Sequence, residues 1–335
     1  MARYDFASDN VAGAMPEALD ALVRFNRGFE AGYGGDGVSA RAAGLIRELL
    51  DVDAEIWFVA SGTAANALAL GALAQPHEAV LSHQHAHIAM DETGAPGFFG
   101  SGLGIIGLPG ASGLIDPAAL AEALGRPDTP HGQAPAALSL TQASEFGAVY
   151  GGEALAALTG QARAAGVAIH LDGARLANAA AAGFDLKSLP RLGIDIAVMG
   201  GTKAGAPPTE ALILLSESAR RRFGARLKHG GQLISKARFL SAPWIGMLET
   251  GAWVRRAAHA NAMAQRLAAL MPFPIAHPVQ ASGVFVEMDD QTLARLQQAG
   301  WFVYRFVDGT ARFMCSWATT PEAVDELGAV LKGIA

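Results

Sequence analysis

Short apolar strands separated by helical segments are the feature that most limits how this chain can fold. EIWFVA (55–60), AVLSH (79–83), LGIIGL (103–108), ALSLTQ (137–142), VAIHLD (167–172), IDIAVMG (194–200) and EALILL (210–215) each read as a buried strand. Helix-period stretches such as SGTAANALALGALA and EALAALTGQARAAG lie among them. Strands that are apolar along their whole length need cover on both faces. The alternation therefore predicts βαβ units in an α/β fold, with a large, mostly parallel sheet between helical layers. The pattern changes near Ser241-Ala242-Pro243. Beyond that point, residues 247–270 read as one long helical segment. GVFVEM, the helix DQTLARLQQAG, an antiparallel pair FVYRFV and ARFMCSW, and a closing helix EAVDELGAVLKGI follow it. The expected organisation is an N-terminal segment plus a large α/β domain over 1–245, then a smaller αβ domain over 246–335.

Composition narrows the function classes. Charged residues make up 17% of the 335, against roughly 25% in average usage. With 51% hydrophobic residues and 40 glycines, the profile suits a deeply buried enzyme whose surface is partly consumed by subunit contacts. The net charge of −6 comes with no Lys/Arg block, which argues against nucleic acid as a partner. The start, MARYDFASDN, has no apolar leader segment. No uninterrupted apolar run reaches the roughly 18 residues of a membrane span. Cys315 is the single cysteine, so no intrachain disulfide can form, and a cytoplasmic location is the expectation.

The stretch GIDIAVMGGTKAG (193–205) ends an apolar strand in two glycines and one lysine, Lys203. A lysine there is either a solvated loop residue or a chemically used amine. Asp172 ends the preceding strand, in HLDGAR, and so projects at the same carboxyl edge of the sheet, where open α/β sheets place ligand groups. Taken alone, Asp172 could equally cap a turn. SGTAAN (61–66) lies between a strand and a helix. Its backbone N–H groups suit a phosphate, although a plain Ser or Thr N-cap would look the same. Lysine, carboxylate and phosphate-type helix start on one edge together fit pyridoxal 5′-phosphate. The amine would hold the aldehyde as a Schiff base, and the carboxylate would keep the pyridine nitrogen protonated. GLGIIG (102–107) matches G-x-G-x-x-G but is followed by LPGASG and not by a helix, so it fails as a dinucleotide site. His83, His85 and His87 would share one face in an extended chain, as a metal site would need. The strand ends there without an evident carboxylate ligand, so no metal is expected.

FASDN, YGGD, SGTAAN, HIAMDETGAP, LDGAR, GGTKAG and ARFMCSW occur here in one order along the chain. This ordered set resembles the low-specificity L-threonine aldolases, fold type I pyridoxal-phosphate enzymes of the β-eliminating lyase/threonine aldolase group. LSLTQASEFGAVY and SKARFLSAPWIGMLETGAW look like the Pseudomonas-type branch. The resemblance implies cleavage of L-threonine, L-allo-threonine and related β-hydroxy-α-amino acids to glycine and an aldehyde. It implies Lys203 as the Schiff-base lysine, Asp172 as the pyridine partner, His87 stacked on the ring, and Gly62 and Thr63 on the phosphate. Ser8, Arg175 and Arg312 would bind the substrate carboxylate. Tyr33 would reach a neighbouring subunit's site, and Lys228 would contact phosphate across the interface, which implies a homodimer or homotetramer with shared sites. Two departures stand out. Ala204 follows the lysine where many relatives have Asn, and the stretch 142–146 reads QASEF where the enteric branch carries a histidine. Handling the β-hydroxyl proton then falls to His87, His85, Glu92 or a water.

Overall fold

In the computed structural model, which describes residues 2–126 and 128–335, every apolar run of the first part forms a strand. These are β1 (Glu55–Val59), β2 (Glu78–His83), β3 (Gly104–Leu108), β4 (Ala134–Thr141), β5 (Ala168–Gly173), β6 (Ile196–Gly200) and β7 (Glu210–Leu214). They build one sheet in the order β1-β7-β6-β5-β4-β2-β3. Pairing from β3 through β2, β4 and β5 to β6 is parallel. Only β7 is reversed, running against both β6 and β1. The sheet is thus mostly parallel, as the strand pattern predicts. The reversal has a simple cause: residues 201–209 are too few for a parallel return, which takes about a dozen or more. Glu210 consequently starts β7 opposite Gly200, at the edge where β6 ends.

The period of two along β6 assigns its side chains to two cores. Ile196 and Val198 pack with Leu68 of the helix Gly62–Leu73, whereas Ala197 and Met199 join Ile46 and Trp244 on the opposite face. β6 and β7 are buried along their whole length, which accounts for the apolar runs IAVMG and, after Glu210, ALIL.

A second sheet has the order β8-β10-β9, from β8 (Gly283–Val286), β9 (Tyr304–Arg305) and β10 (Ala311–Met314), and both pairings are antiparallel. It packs on its own core, which includes Val284, Phe313, Leu327 and Leu331, together with Phe6 from the N-terminal segment. Residues 247–270 are not the one helix that periodicity suggested. They belong to Arg238–Glu249 and Ala252–Leu270, separated at Gly251, whose φ of 65° leaves the helical region. Glycine tolerates that conformation without a Cβ clash, so the helix breaks there and not at Pro243, which lies inside the first helix. The second helix adds Trp253 and Ala257 to the large core and Ala264 and Leu267 to the second one. No helix among the described residues is long and apolar enough to cross a membrane.

Candidate active site

Because β5 and β6 are parallel neighbours, Asp172 and Lys203 leave the sheet at the same edge. The close pairing depends on Gly173: a Cβ there would fall 2.1 Å from the Val198 carbonyl oxygen. A cavity of about 360 Å³ opens at this edge. Its walls include Lys203, His87, Ser8, Glu145, Arg175 and Arg312, with Tyr304 and Phe306 of the β9–β10 hairpin closing one side. A larger cleft of about 800 Å³, lined by Tyr150, Phe184, Arg191 and Gln280 among others, holds none of the sequence-predicted groups. Volume alone does not locate the chemistry.

Asp172 lies behind the cavity, only 2% exposed. Its Oδ1 accepts from the Ala174 N–H at 3.0 Å and its Oδ2 from Asn66 Nδ2 at 2.9 Å. The same Asn66 amide nitrogen donates to Glu92 Oε1 at 2.8 Å, and that oxygen also meets His87 Nδ1 at 2.8 Å. A continuous chain His87–Glu92–Asn66–Asp172 therefore runs under the cavity floor. The hydrogen bond to Glu92 holds the His87 imidazole above its usual range, and burial pushes the Glu92 carboxyl up. A Glu92 carboxylate accepting at Nδ1 leaves Nε2 as the basic nitrogen of His87.

The two arginines differ in how far they are satisfied. Arg175 is buried and donates to Asp9 through Nε and Nη2, at 2.7 and 3.1 Å, with Glu145 3.7 Å from Nη1. Burial opposes its charge, but these carboxylates outweigh it and hold the guanidinium above its usual range. Asp9 answers in kind: burial works against its charge, yet Arg175 and Lys203 keep its carboxyl low. Arg312 has no carboxylate partner among the described residues. Its Nη2 reaches the Ala7 carbonyl at 3.5 Å, its Nε is buried without a hydrogen bond, and its guanidinium sits 4.6 Å from the Tyr304 ring centroid and 5.0 Å from that of Phe306. Burial, then repulsion from Arg175, pushes its pKa down to about 10. An under-partnered buried cation facing a cavity is a receptor for an anion.

Gly62 and Thr63 begin the helix Gly62–Leu73 at the carboxyl end of β1. Ser61 caps it, accepting from Ala64 N–H at 3.2 Å, which leaves the N–H groups of its start without intrahelical partners. A Cβ built on Gly62 meets nothing within 4 Å, so a phosphate could approach the backbone there. Ser8 is at the cavity, whereas Tyr33 and Lys228 are not among its walls. They sit together on the surface, the Lys228 amine 4.9 Å from the Tyr33 ring centroid. Of the three histidines near β2, His87 goes to Glu92, whereas His83 and His85 stay together: their rings are 5.5 Å apart, His83 Nε2 meets the Gly110 carbonyl at 3.1 Å, and the His85 ring packs on Phe146 at 5.8 Å.

Sequence reading passed over Asp9, Asn66 and Glu210. Asp9 and Asn66 stand inside quoted motifs, FASDN and SGTAAN, where a buried acid or amide beside chosen residues was the available signal. Glu210 gives no signal beyond opening an apolar strand. It is buried, and its Oε2 accepts from the Gly201 N–H at 2.7 Å, so it steadies the turn that carries Lys203.

The beta-eliminating lyase family model matches residues 5–291. A low specificity L-threonine aldolase from a Pseudomonas species is 42% identical over 337 residues, covering 98% of this chain and 97% of that protein. Another so named, from Pseudomonas aeruginosa, is also 42% identical, covering 96% and 95%. Among solved structures, threonine aldolase from Leishmania major superposes with a TM-score of 0.93 at 30% identity, covering 99% of this chain and 100% of that one. The chain belongs to the beta-eliminating lyase family. The resemblance carried by the ordered motifs is borne out over nearly the full length. In the stretch 142–146, the Phe146 ring packs among those of His83, His85 and His277.

Proposed function

We propose that the chain is a pyridoxal 5′-phosphate-dependent aldolase that cleaves L-threonine, L-allo-threonine and related β-hydroxy-α-amino acids to glycine and an aldehyde. The observation that carries this reading is the cavity itself: an unsatisfied Arg312 guanidinium faces the same space as the Lys203 amine and His87, with Asp172 buried behind. The donor set fits the cofactor. Lys203 would hold its aldehyde carbon, Asp172 its ring nitrogen, and Gly62 and Thr63 its phosphate, while His87 would lie against the ring. When bound, pyridoxal phosphate supplies an electron sink for the charge left at Cα as the Cα–Cβ bond breaks.

Arg312 pairs with the substrate carboxylate, because it is the cation with capacity left, and Ser8 and Arg175 complete the grip. Arg175, already clamped by Asp9 and Glu145, is a fixed positive wall that favours an anion beside Arg312. Orienting the carboxylate would select which bond at Cα is presented for cleavage. His87, with Nδ1 committed to Glu92, takes the β-hydroxyl proton at Nε2. This supports His87 over His85, whose ring is packed on Phe146. The exposed pair Tyr33 and Lys228 suits contributions to a neighbouring subunit's site, in a homodimer or homotetramer in the cytoplasm.

Aldehyde and glycine released in equal amounts from L-threonine, L-allo-threonine or L-phenylserine, and lost in Lys203→Ala, is the expected result. Ammonia and a keto acid without aldehyde would move the chain to the eliminating reactions of its family and overturn the aldolase reading.

A further inference from the structure

Three segments that are far apart in sequence meet at His277. Its Nε2 lies 2.8 Å from Asp308 Oδ2, in the turn of the β9–β10 hairpin. Its Nδ1 lies 3.1 Å from the hydroxyl of Ser112, in the turn that follows β3. Its ring packs on Phe146 of the QASEF loop at 4.6 Å between centroids. Nε2–H donates to the Asp308 carboxylate, and Nδ1 shares a hydrogen bond with the Ser112 hydroxyl. Neighbouring bonds lock each partner in turn. Asp308 Oδ1 accepts from the Thr310 N–H and hydroxyl, at 3.1 and 2.7 Å, and the Ser112 carbonyl accepts from the Ser144 hydroxyl at 2.7 Å. A Ser–His–Asp relay invites a nucleophile reading, but none of the three lines the cavity that holds Lys203.

The hairpin they secure does line it. Tyr304 and Phe306 flank the Arg312 guanidinium, and Phe306 also packs on Phe146 at 5.2 Å. Arg305 ties the hairpin to its own sheet, donating to the Met288 carbonyl at 2.9 Å and pairing with Asp290, a carboxylate 92% exposed. The His277–Asp308 tie, with side chains 16% and 20% exposed, is the one that carries the turn onto Ser112 and Phe146 through the His277 ring.

We propose that His277 is a positioning residue for substrate binding: it pins the hairpin turn to the large domain and thereby holds the aromatic walls that aim Arg312 at the substrate carboxylate. The proposal rests on the aldolase reading for its substrate, but the pin itself is testable without turnover. In the cofactor-loaded enzyme, hydrogen exchange over residues 302–312 should quicken in His277→Ala and in Asp308→Ala. Glycine affinity by calorimetry should fall about tenfold, as for one lost charge-assisted contact. KM for L-threonine should rise by a similar factor with kcat within about twofold, the signature of lost binding common to ground and transition states. His277→Gln, whose amide nitrogen can reach Asp308 as Nε2 does, should restore most of both. Unchanged exchange in the two alanine variants would overturn the pin, whatever the reaction proves to be. Quickened exchange with unchanged glycine affinity, or kcat falling at constant KM, would overturn its role in aiming Arg312. Should His277→Ala fail to fold, Asp308→Ala and His277→Gln carry the same comparison.

Discussion

Glu210 shows how a single buried carboxylate can be invisible in the sequence and prominent in the fold. In EALILL it is an ordinary strand opener, yet the reversed β7 sets it opposite Gly200, where it accepts from Gly201 N–H behind Lys203. Burial pushes its pKa up from 4.5 to about 7, against the hydrogen bonds and the Lys203 charge that favour ionisation. The folded state thus holds this proton more tightly than the unfolded chain does. The associated stability is fully present below pH 4.5 and is lost as pH rises through about 7. Glu210→Gln keeps an acceptor for Gly201 and removes the titration. Its stability relative to wild type should grow by on the order of 3 kcal/mol between those limits, read from denaturation midpoints across the pH range. A difference independent of pH would mean that Glu210 ionises normally. Arg312 makes the complementary point: an alternating strand segment looks like surface, and only the packing of Tyr304 and Phe306 reveals a buried cation without a carboxylate partner among the described residues.

At the level of elements, strand identity was legible because each strand of the large sheet is built around a short apolar run, while strand direction and helix breaks were not. β7 reverses because of the length of the turn before it, and the 247–270 segment divides because Gly251 adopts a positive φ that its helix-forming neighbours would resist. The junction of β5 and β6 gives the sharpest element-scale prediction. Gly173→Ala would drive a methyl to 2.1 Å from the Val198 carbonyl and force the two strands apart at the point where Asp172 emerges. A loss of ~2–3 kcal/mol in chemical denaturation is expected, the usual cost of overpacking. Weaker cofactor retention should accompany it, because Asp172 moves with the strand. Stability within experimental error of wild type would show that the sheet relaxes around the added carbon.

The whole molecule has one feature that a single chain does not explain. Phe29 is fully exposed, Tyr33 is 52% exposed, and Lys228 stands over Tyr33 outside the cavity walls. If these residues complete a neighbour's site, Lys203→Ala and Lys228→Ala should complement each other when their subunits are mixed. Random assortment into dimers gives half mixed pairs, each with one intact site of two, and so about a quarter of wild-type activity from two weak parents. No recovery on mixing, with assembly confirmed by light scattering, would place Lys228 outside the neighbouring site. The sequence by itself determined the α/β class, the order of the strands along the chain, and the Lys203–Asp172 pair, because those depend on local periodicity and on strand ends that must share an edge. Tertiary structure alone decided the reversed β7, the Asp9 and Glu145 clamp on Arg175, the His87–Glu92–Asn66–Asp172 chain and the His277 pin. Each of these joins side chains from separate elements, and what makes them matter is burial away from water, a property that no residue has until the chain has folded around it.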